Sequence, residues 1–198
     1  MKYPIVEHFY TLQGEGLYAG NAAYFVRLGG CDVGCVWCDT KESWNAKNHP
    51  QFESVEIKNW IKNTPAKIVV ITGGEPLMHN LEDLTAVLKK EILQTNIETS
   101  GSHPFSGNFD WVCLSPKKFK PVLADNYQFA NELKIIVFNK SDFEFAISEA
   151  KKVNEKCLLY LQPEWSKEQE ILPLIIDFIK QNPQWKLSLQ THKHLNIP

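Results

Sequence analysis

No apolar stretch of membrane-spanning length occurs in the 198-residue chain; the longest, Ile171 to Ile179, is broken by Pro173 and Asp177. Nor do the first residues, MKYPIVEHFYTLQGEG, offer the unbroken apolar segment of a secretory leader, because Glu7 and other polar groups interrupt it. Charge of one sign is also scarce. The formal net charge of −2 arises from mixed acids and bases, which leaves no basic footprint for a nucleic-acid backbone and no acidic tail for a basic partner. A disulfide framework is missing as well, since five cysteines is an odd number and three of them fall within eight positions. Linkers, low-complexity tracts and internal repeats are absent. These absences set aside the membrane, nucleic-acid-binding and disulfide-stapled classes. They leave the expectation of a cytoplasmic protein acting on a small molecule. With 43% hydrophobic residues, residues 1–198 can bury a core as one domain.

What is present is a recurrence of short β-branched runs: Tyr24–Leu28, Lys67–Thr72, Asn96–Thr99, Trp111–Ser115, Leu133–Phe138, Cys157–Gln162 and Trp185–Gln190. They read as buried strands. Helical patterns lie between several of them: Val55–Lys62 after Ser54, Leu81–Leu93 after Asn80, Phe143–Val153 after Ser141, and Lys167–Gln181 after Ser166. Each is preceded by a residue able to cap a first turn. Such alternation predicts right-handed βαβ units, hence an α/β fold with a largely parallel sheet. A complete eight-unit barrel takes about 250 residues, so six or seven strands in this length predict an open or truncated barrel. Lys41–Phe52 reads as an irregular insertion.

Cys31, Cys35 and Cys38 form C-x3-C-x2-C in the loop GGCDVGCVWCDT that follows the first expected strand. Three soft thiolates on one short loop can serve a single metal centre. On a four-iron cubane they leave one iron open, able to chelate the amino and carboxylate groups of S-adenosylmethionine (SAM) and to pass the electron that cleaves its C–S bond. The competing reading is a zinc site completed by His49 or a carboxylate, although zinc usually draws on paired C-x2-C knuckles and no second knuckle is present. Cys113 and Cys157, inside apolar strands, read as small buried hydrophobes. The segment ITGGEP, with Thr72 to Pro76 ending the second expected strand, lets backbone approach a ligand closely at its glycines.

The cysteine spacing, with an aromatic just before the last Cys, resembles the radical SAM signature, and GGEP resembles the segment that meets the methionyl amino group there. FYTLQGEG, YFVRLGGCDVGCVWCDT, ETSG, SPK, LQPEW and LQTHKHLNIP together resemble the 7-carboxy-7-deazaguanine synthase family over essentially the whole chain. The resemblance implies a truncated, open (βα)6-type radical SAM partial barrel with a [4Fe-4S] cluster, SAM and Mg2+ as cofactors. It also implies a homodimer and an electron donor such as flavodoxin, with no nucleic acid or membrane as partner. The implied reaction is that of a carbon–nitrogen lyase in queuosine and deazapurine biosynthesis. It converts 6-carboxy-5,6,7,8-tetrahydropterin to 7-carboxy-7-deazaguanine by hydrogen abstraction at C6, ring contraction, hydrogen return and loss of ammonia.

By the same resemblance, Leu12, Gln13 and Gly14 line the pterin site, and Arg27 pairs with the substrate carboxylate. A guanidinium fork suits two carboxylate oxygens, although an arginine in an apolar strand can equally be a structural ion-pair partner. Thr72, His192 and Pro198 are further substrate contacts; taken alone, His192 reads as a surface histidine. Thr40 matches the residue that reaches Mg2+ through its hydroxyl, a hard oxygen of the kind Mg2+ prefers, and otherwise reads as a turn or cap residue. Trp37, Cys38, Asp39, Gly74, Ser115, Pro116, Lys117, Gln162, Pro163, Glu164 and Trp165 are implicated in SAM binding. They fall in the cysteine loop or beyond strand ends, where parallel sheets bind ligands. Glu98 stands between cofactor, substrate and structural roles, and no residue presents itself as general acid or base. Two rival readings are a radical SAM activase that places a glycyl radical on a partner protein and a zinc-dependent interaction module.

Overall fold

A computed structural model describes residues 1–91 and 93–198. Seven parallel strands form the body of its sheet: β2 (Ala22–Leu28), β4 (Ile68–Gly73), β5 (Gln94–Thr99), β6 (Trp111–Leu114), β7 (Glu132–Val137), β8 (Leu158–Pro163) and β9 (Trp185–Leu187). All seven coincide with the expected runs, although β9 stops at Leu187. Two further strands escape the sequence pattern. Lys2–Leu12 (β1) runs antiparallel to β2, and Gln51–Glu53 (β3) pairs antiparallel with β1. The order is β3-β1-β2-β4-β5-β6-β7-β8-β9, an open sheet as expected. Polar residues such as Glu7 and His8 on its exposed positions hide β1 from a search for buried runs. The supposed insertion after the cysteines consists of two 3-10 turns, Lys41–Trp44 and Ala46–Asn48, followed by β3.

Four helices follow the expected patterns: α1 (Ser54–Lys62), α2 (Glu82–Lys89), α3 (Ser141–Ala150) and α4 (Glu168–Gln181). The pattern to Leu93 overshoots, because α2 ends at Lys89; Ile92 lies outside the described residues. The last three residues of the final expected strand, Ser188–Gln190, have no regular structure, and a short α5 (Thr191–Leu195) follows them. Three expected caps are also corrected. Glu53 caps α1 in a reciprocal capping box with Glu56, while Ser54 lies inside the first turn and donates to Asp83. Asn139 accepts from the Ser141 N–H at the start of α3, and Ser166 donates to Glu164 instead of capping α4. Asn80 does accept from Glu82 N–H, 2.9 Å away.

The period of two in each strand divides the sheet into two faces. On the outer face, Val26, Val69, Ile71 and Ile97 pack with Ile57, Ile61, Leu84 and Leu88 of α1 and α2. Farther along, Leu133, Ile135 and Leu161 pack with Ala146, Ile171 and Ile175 of α3 and α4. The inner face begins apolar, with Ala23, Phe25, Ile68 and Val70 against Phe9 and Tyr18. It turns polar toward the strand ends, where Thr72, Glu98, Ser115, Lys134 and Gln162 line a cavity. The helices thus hold the sheet by its back and leave its front for ligands. Because Ile71 is fully buried at the centre of the outer layer, Ile71→Ala is expected to cost about 2–5 kcal/mol through lost burial and a residual cavity. A lower urea midpoint with an unchanged slope checks this; an unchanged midpoint refutes it.

Candidate active site

The cavity on the inner face measures about 310 Å³, the scale of a small-molecule site. Its walls include Cys31, Cys35 and Cys38 from the loop after β2, strand ends from β4 to β8, the loop after β1, and the C-terminal segment ending at Pro198. The loop of residues 13–17 and that terminal segment bridge the open side of the sheet. Gly16 N–H donates to Ser188 Oγ, Leu17 N–H to buried Glu132, and both the N–H and the hydroxyl of Thr191 to Gly14 O.

Close backbone packing anchors the cysteine loop. Gly30 N–H donates to Ser43 O, Cys31 N–H to Trp44 O and Cys38 N–H to Cys35 O. From β4, Gly74 N–H donates to Leu28 O and Glu75 N–H to Gly30 O. A Cβ on Gly74 would lie 2.3 Å from Gly30 O and 2.7 Å from Cys31 Cβ, so only glycine permits this approach. Glu75 is buried and accepts hydrogen bonds from Leu77 N–H, Thr99 Oγ, and both the N–H and hydroxyl of Ser100. GGEP and ETSG are therefore joined through one satisfied carboxylate.

All three loop thiols are free of disulfides. Burial pushes the Cys31 and Cys35 thiols up, and the charge of the neighbouring thiols adds to it, while Lys117 opposes it at Cys35. Ionising all three side by side calls for a cation among them. A cubane places each thiolate on a different iron, so this donor set fits a cluster. His49 lies outside the cavity walls, its Nε2 2.8 Å from Glu42 O.

Below the cysteines is a charged floor. Gln13 Nε2 donates to Glu98 Oε1 (3.0 Å), and Thr72 Oγ to Glu98 Oε2 (3.3 Å). Lys134, on the inner face of β7, pairs with Glu15 and lies 3.9 Å from Glu98. Gln190 also donates to Glu15, at 2.9 Å. Burial pushes the Glu15 carboxyl up, but the Lys134 ammonium and the Gln190 bond outweigh it and hold it at about 2. Burial lowers the pKa of His192, favouring neutral imidazole, with Glu15 partly opposing. A Cβ on Gly14 would fall 2.2 Å from His192 Nδ1, so the glycine makes room for the ring.

Every expected site residue except Pro116 lines the cavity. Pro116 is buried beside it, between Ser115 and Lys117. Lys117 Nζ donates to the Ser115 carbonyl and hydroxyl and lies 5.8 Å from the Trp37 ring centroid. Gln162 Oε1 accepts from Ser188, and Glu164 from Ser166. Lys193 bonds Asp39 at 2.7 Å and lies over Trp165, linking the C-terminal segment to the cysteine loop. Arg27 Nε pairs with Glu7 at 2.7 Å, so this arginine has a structural partner while facing the cavity. Thr40 Oγ is 3.7 Å from Cys38 Sγ; its carbonyl, not its hydroxyl, accepts the bonds that start the following turn. Sequence reasoning took in Glu15, Glu75, Gln190 and Lys193 only as parts of the motifs FYTLQGEG, GGEP and LQTHKHLNIP, without individual roles, and passed over Lys134. The signal for Lys134 was a charge inside the apolar run ELKIIV.

Comparison with known proteins agrees with this site. The radical SAM superfamily pattern matches residues 25–127. The 7-carboxy-7-deazaguanine synthase of Flavobacterium psychrophilum is 56% identical over 196 residues, covering 98% of this chain and 92% of that protein. The chain belongs to the 7-carboxy-7-deazaguanine synthase family of radical SAM enzymes. The family's Synechocystis member is 48% identical over 100% of this chain and 94% of its own length. A crystal structure of QueE from Escherichia coli superposes with a TM-score of 0.87 at 34% identity, covering 96% of this chain and 94% of that one. Radical SAM membership brings a [4Fe-4S] cluster and SAM as cofactors, in keeping with the three cysteines and the open mouth beside them.

The low folded pKa of Glu15 has a signed consequence. Its contribution to stability is present above its ordinary value of 4.5 and is lost as pH falls toward about 2. The unfolding free energy of the wild type should therefore exceed that of Glu15→Gln near about pH 6, with the gap falling to less than half by about pH 3 and closing only below about pH 2. Urea titrations at both pH values measure it. A gap independent of pH would refute the ionic assignment.

Proposed function

We propose that this chain, acting as one domain over residues 1–198, forms 7-carboxy-7-deazaguanine from 6-carboxy-5,6,7,8-tetrahydropterin with loss of ammonia. The observation that carries the reading is full-length similarity to proteins of that name, together with a cavity whose lining combines three cysteines with carboxylate, amide and guanidinium groups. When bound, the cluster and SAM supply a 5′-deoxyadenosyl radical for hydrogen abstraction from carbon.

The residues divide by position. Cys31, Cys35 and Cys38 would hold the cluster, and Gly74, Ser115, Lys117 and the Gln162–Trp165 segment would take SAM, joined by Trp37 and Asp39. Lys117 is pinned to Ser115 beside Trp37, which fixes the wall between the cofactor and the chain. Leu12, Gln13, Gly14, Thr72 and His192 would orient the heterocycle, and Pro198 would close over it. Arg27, steadied through Nε by Glu7, keeps its terminal nitrogens for the substrate carboxylate. Thr40 Oγ, beside Cys38, would offer Mg2+ a hard ligand that lets the ion bridge protein and substrate. A cytoplasmic setting, a homodimer and an electron donor such as flavodoxin complete the reading. Among the described residues, no helix is long and apolar enough to cross a membrane.

Anaerobically reconstituted, dithionite-reduced enzyme given SAM, Mg2+ and 6-carboxytetrahydropterin should release 7-carboxy-7-deazaguanine, seen by mass spectrometry. Cys35→Ala should abolish it. Cleavage of SAM without that product would reject the substrate but keep the radical chemistry. A colourless, zinc-containing protein would reject both.

A further inference from the structure

Lys134 occupies an unusual place. It sits in the middle of β7 with its side chain only 5% exposed, and its strand neighbours Leu133 and Ile135 are fully buried on the opposite face. A buried ion pair is a poor source of stability, since well-packed apolar groups often do as well. The partners of this one belong to two separate parts of the cavity. Glu15 rides on the loop of residues 13–17, which also carries Gln13 and Gly14; Glu98 projects from β5 and accepts from Gln13 and Thr72. One ammonium thereby ties the loop that bridges the open sheet to the carboxylate at the cavity floor.

Resting on the function proposed above, we infer that Lys134 is a positioning residue for the heterocycle: it holds Glu98 as a carboxylate acceptor for ring N–H groups and keeps Gln13 beside it. Lys134 spends its donors on Glu15 and Glu98, so it acts through them. The groups facing this cluster are Glu15 from the bridging loop, Glu98 from β5, Cys113 from β6, Lys117 from the segment after β6, Glu132 from β7 and His192 from α5. Burial opposes the ammonium, but the surrounding acids outweigh it and raise its pKa; the charge therefore persists across the neutral range. Without it, buried Glu15 loses the cation that holds its carboxyl down and takes up a proton, and the loop that carries Gln13 loses its anchor on β7. The Gln13–Glu98 pair at the cavity floor is then displaced in a pH-dependent way.

The test uses the reconstituted holoenzyme and KM for 6-carboxytetrahydropterin across the neutral pH range. Lys134→Met should raise KM about tenfold or more, with the excess shrinking as pH rises and the carboxylate reforms. Cluster content and the change in the cluster's EPR signal on adding SAM should match wild type. Lys134→Arg, which keeps the charge, should recover most of the loss. A wild-type KM in Lys134→Met overturns the inference, as does an increase that is equal at every pH and not rescued by arginine. If Lys134→Met does not load a cluster, Lys134→Gln combined with Glu15→Gln removes one charge of each sign and still strips Glu98 of its cation. A wild-type KM in that double variant, or its failure to fold, assigns Lys134 to folding alone and overturns the inference. Absence of product from the wild-type enzyme would instead sink the function proposed above.

Discussion

The absence of a side chain at Gly74 governs the geometry of the whole upper cavity. Backbone from β4 passes so close to Gly30 and Cys31 that any Cβ would collide with both. The same segment hydrogen-bonds Leu28 and Gly30, and the next residue, Glu75, collects donors from the end of β5. The end of β2, the cysteine loop, the end of β4 and the end of β5 are thus fixed against one another before any ligand binds. A cluster held by one short loop needs such support, because a loop alone would not keep three thiolates at set separations.

This arrangement changes the meaning of the GGEP segment. From sequence, its glycines are places where backbone approaches a ligand. In the fold, Gly74 does line the cavity, but what demands a glycine is the approach of protein to protein. The glutamate, likewise, is consumed by four hydrogen bonds and has little capacity left for a ligand. A motif that binds through backbone can be as restrictive in sequence as one that binds through side chains, because the supporting contacts leave no room for alternatives.

The parallel body of the sheet was legible because strands buried on both faces read as continuous apolar runs and the helices between them carry their own period. β1 was not, since half of its residues face solvent and its pairing is antiparallel. β3 was too short, at three residues, for any periodicity. Around the cavity, the expected residues on recognisable motifs all line the walls except Pro116, which is buried beside them. What stayed hidden was the assembly of the charged floor, in which the sequence singles out Glu98 without a role and does not single out Glu15 or Lys134. Glu15, Glu98 and Lys134 are far apart in sequence and meet only because β5 and β7 turn the same face inward while the loop after β1 crosses the gap. A lysine within ELKIIV is a local conflict between charge and burial, and such conflicts mark places where function overrides packing.

That floor also explains how an open sheet can enclose a site without closing into a barrel. The edge strands β3 and β9 do not pair with each other, yet the loop of residues 13–17 bonds to Glu132 and Lys134 on β7, to Ser188 just after β9 and to Thr191 in the terminal segment. Lys193 carries the connection on to Asp39 beside the cluster cysteines. Hydrogen bonds and ion pairs here do the work that strand pairing does in a closed barrel. Unlike strand pairing, they are separate from most of the apolar contacts that hold the strands, which lie on the opposite face, with a smaller cluster around Phe25 and Val70 on the inner one. A ring of polar contacts around an apolar-backed sheet therefore encloses the cavity, while the cysteine loop is anchored independently by the backbone packing at Gly74.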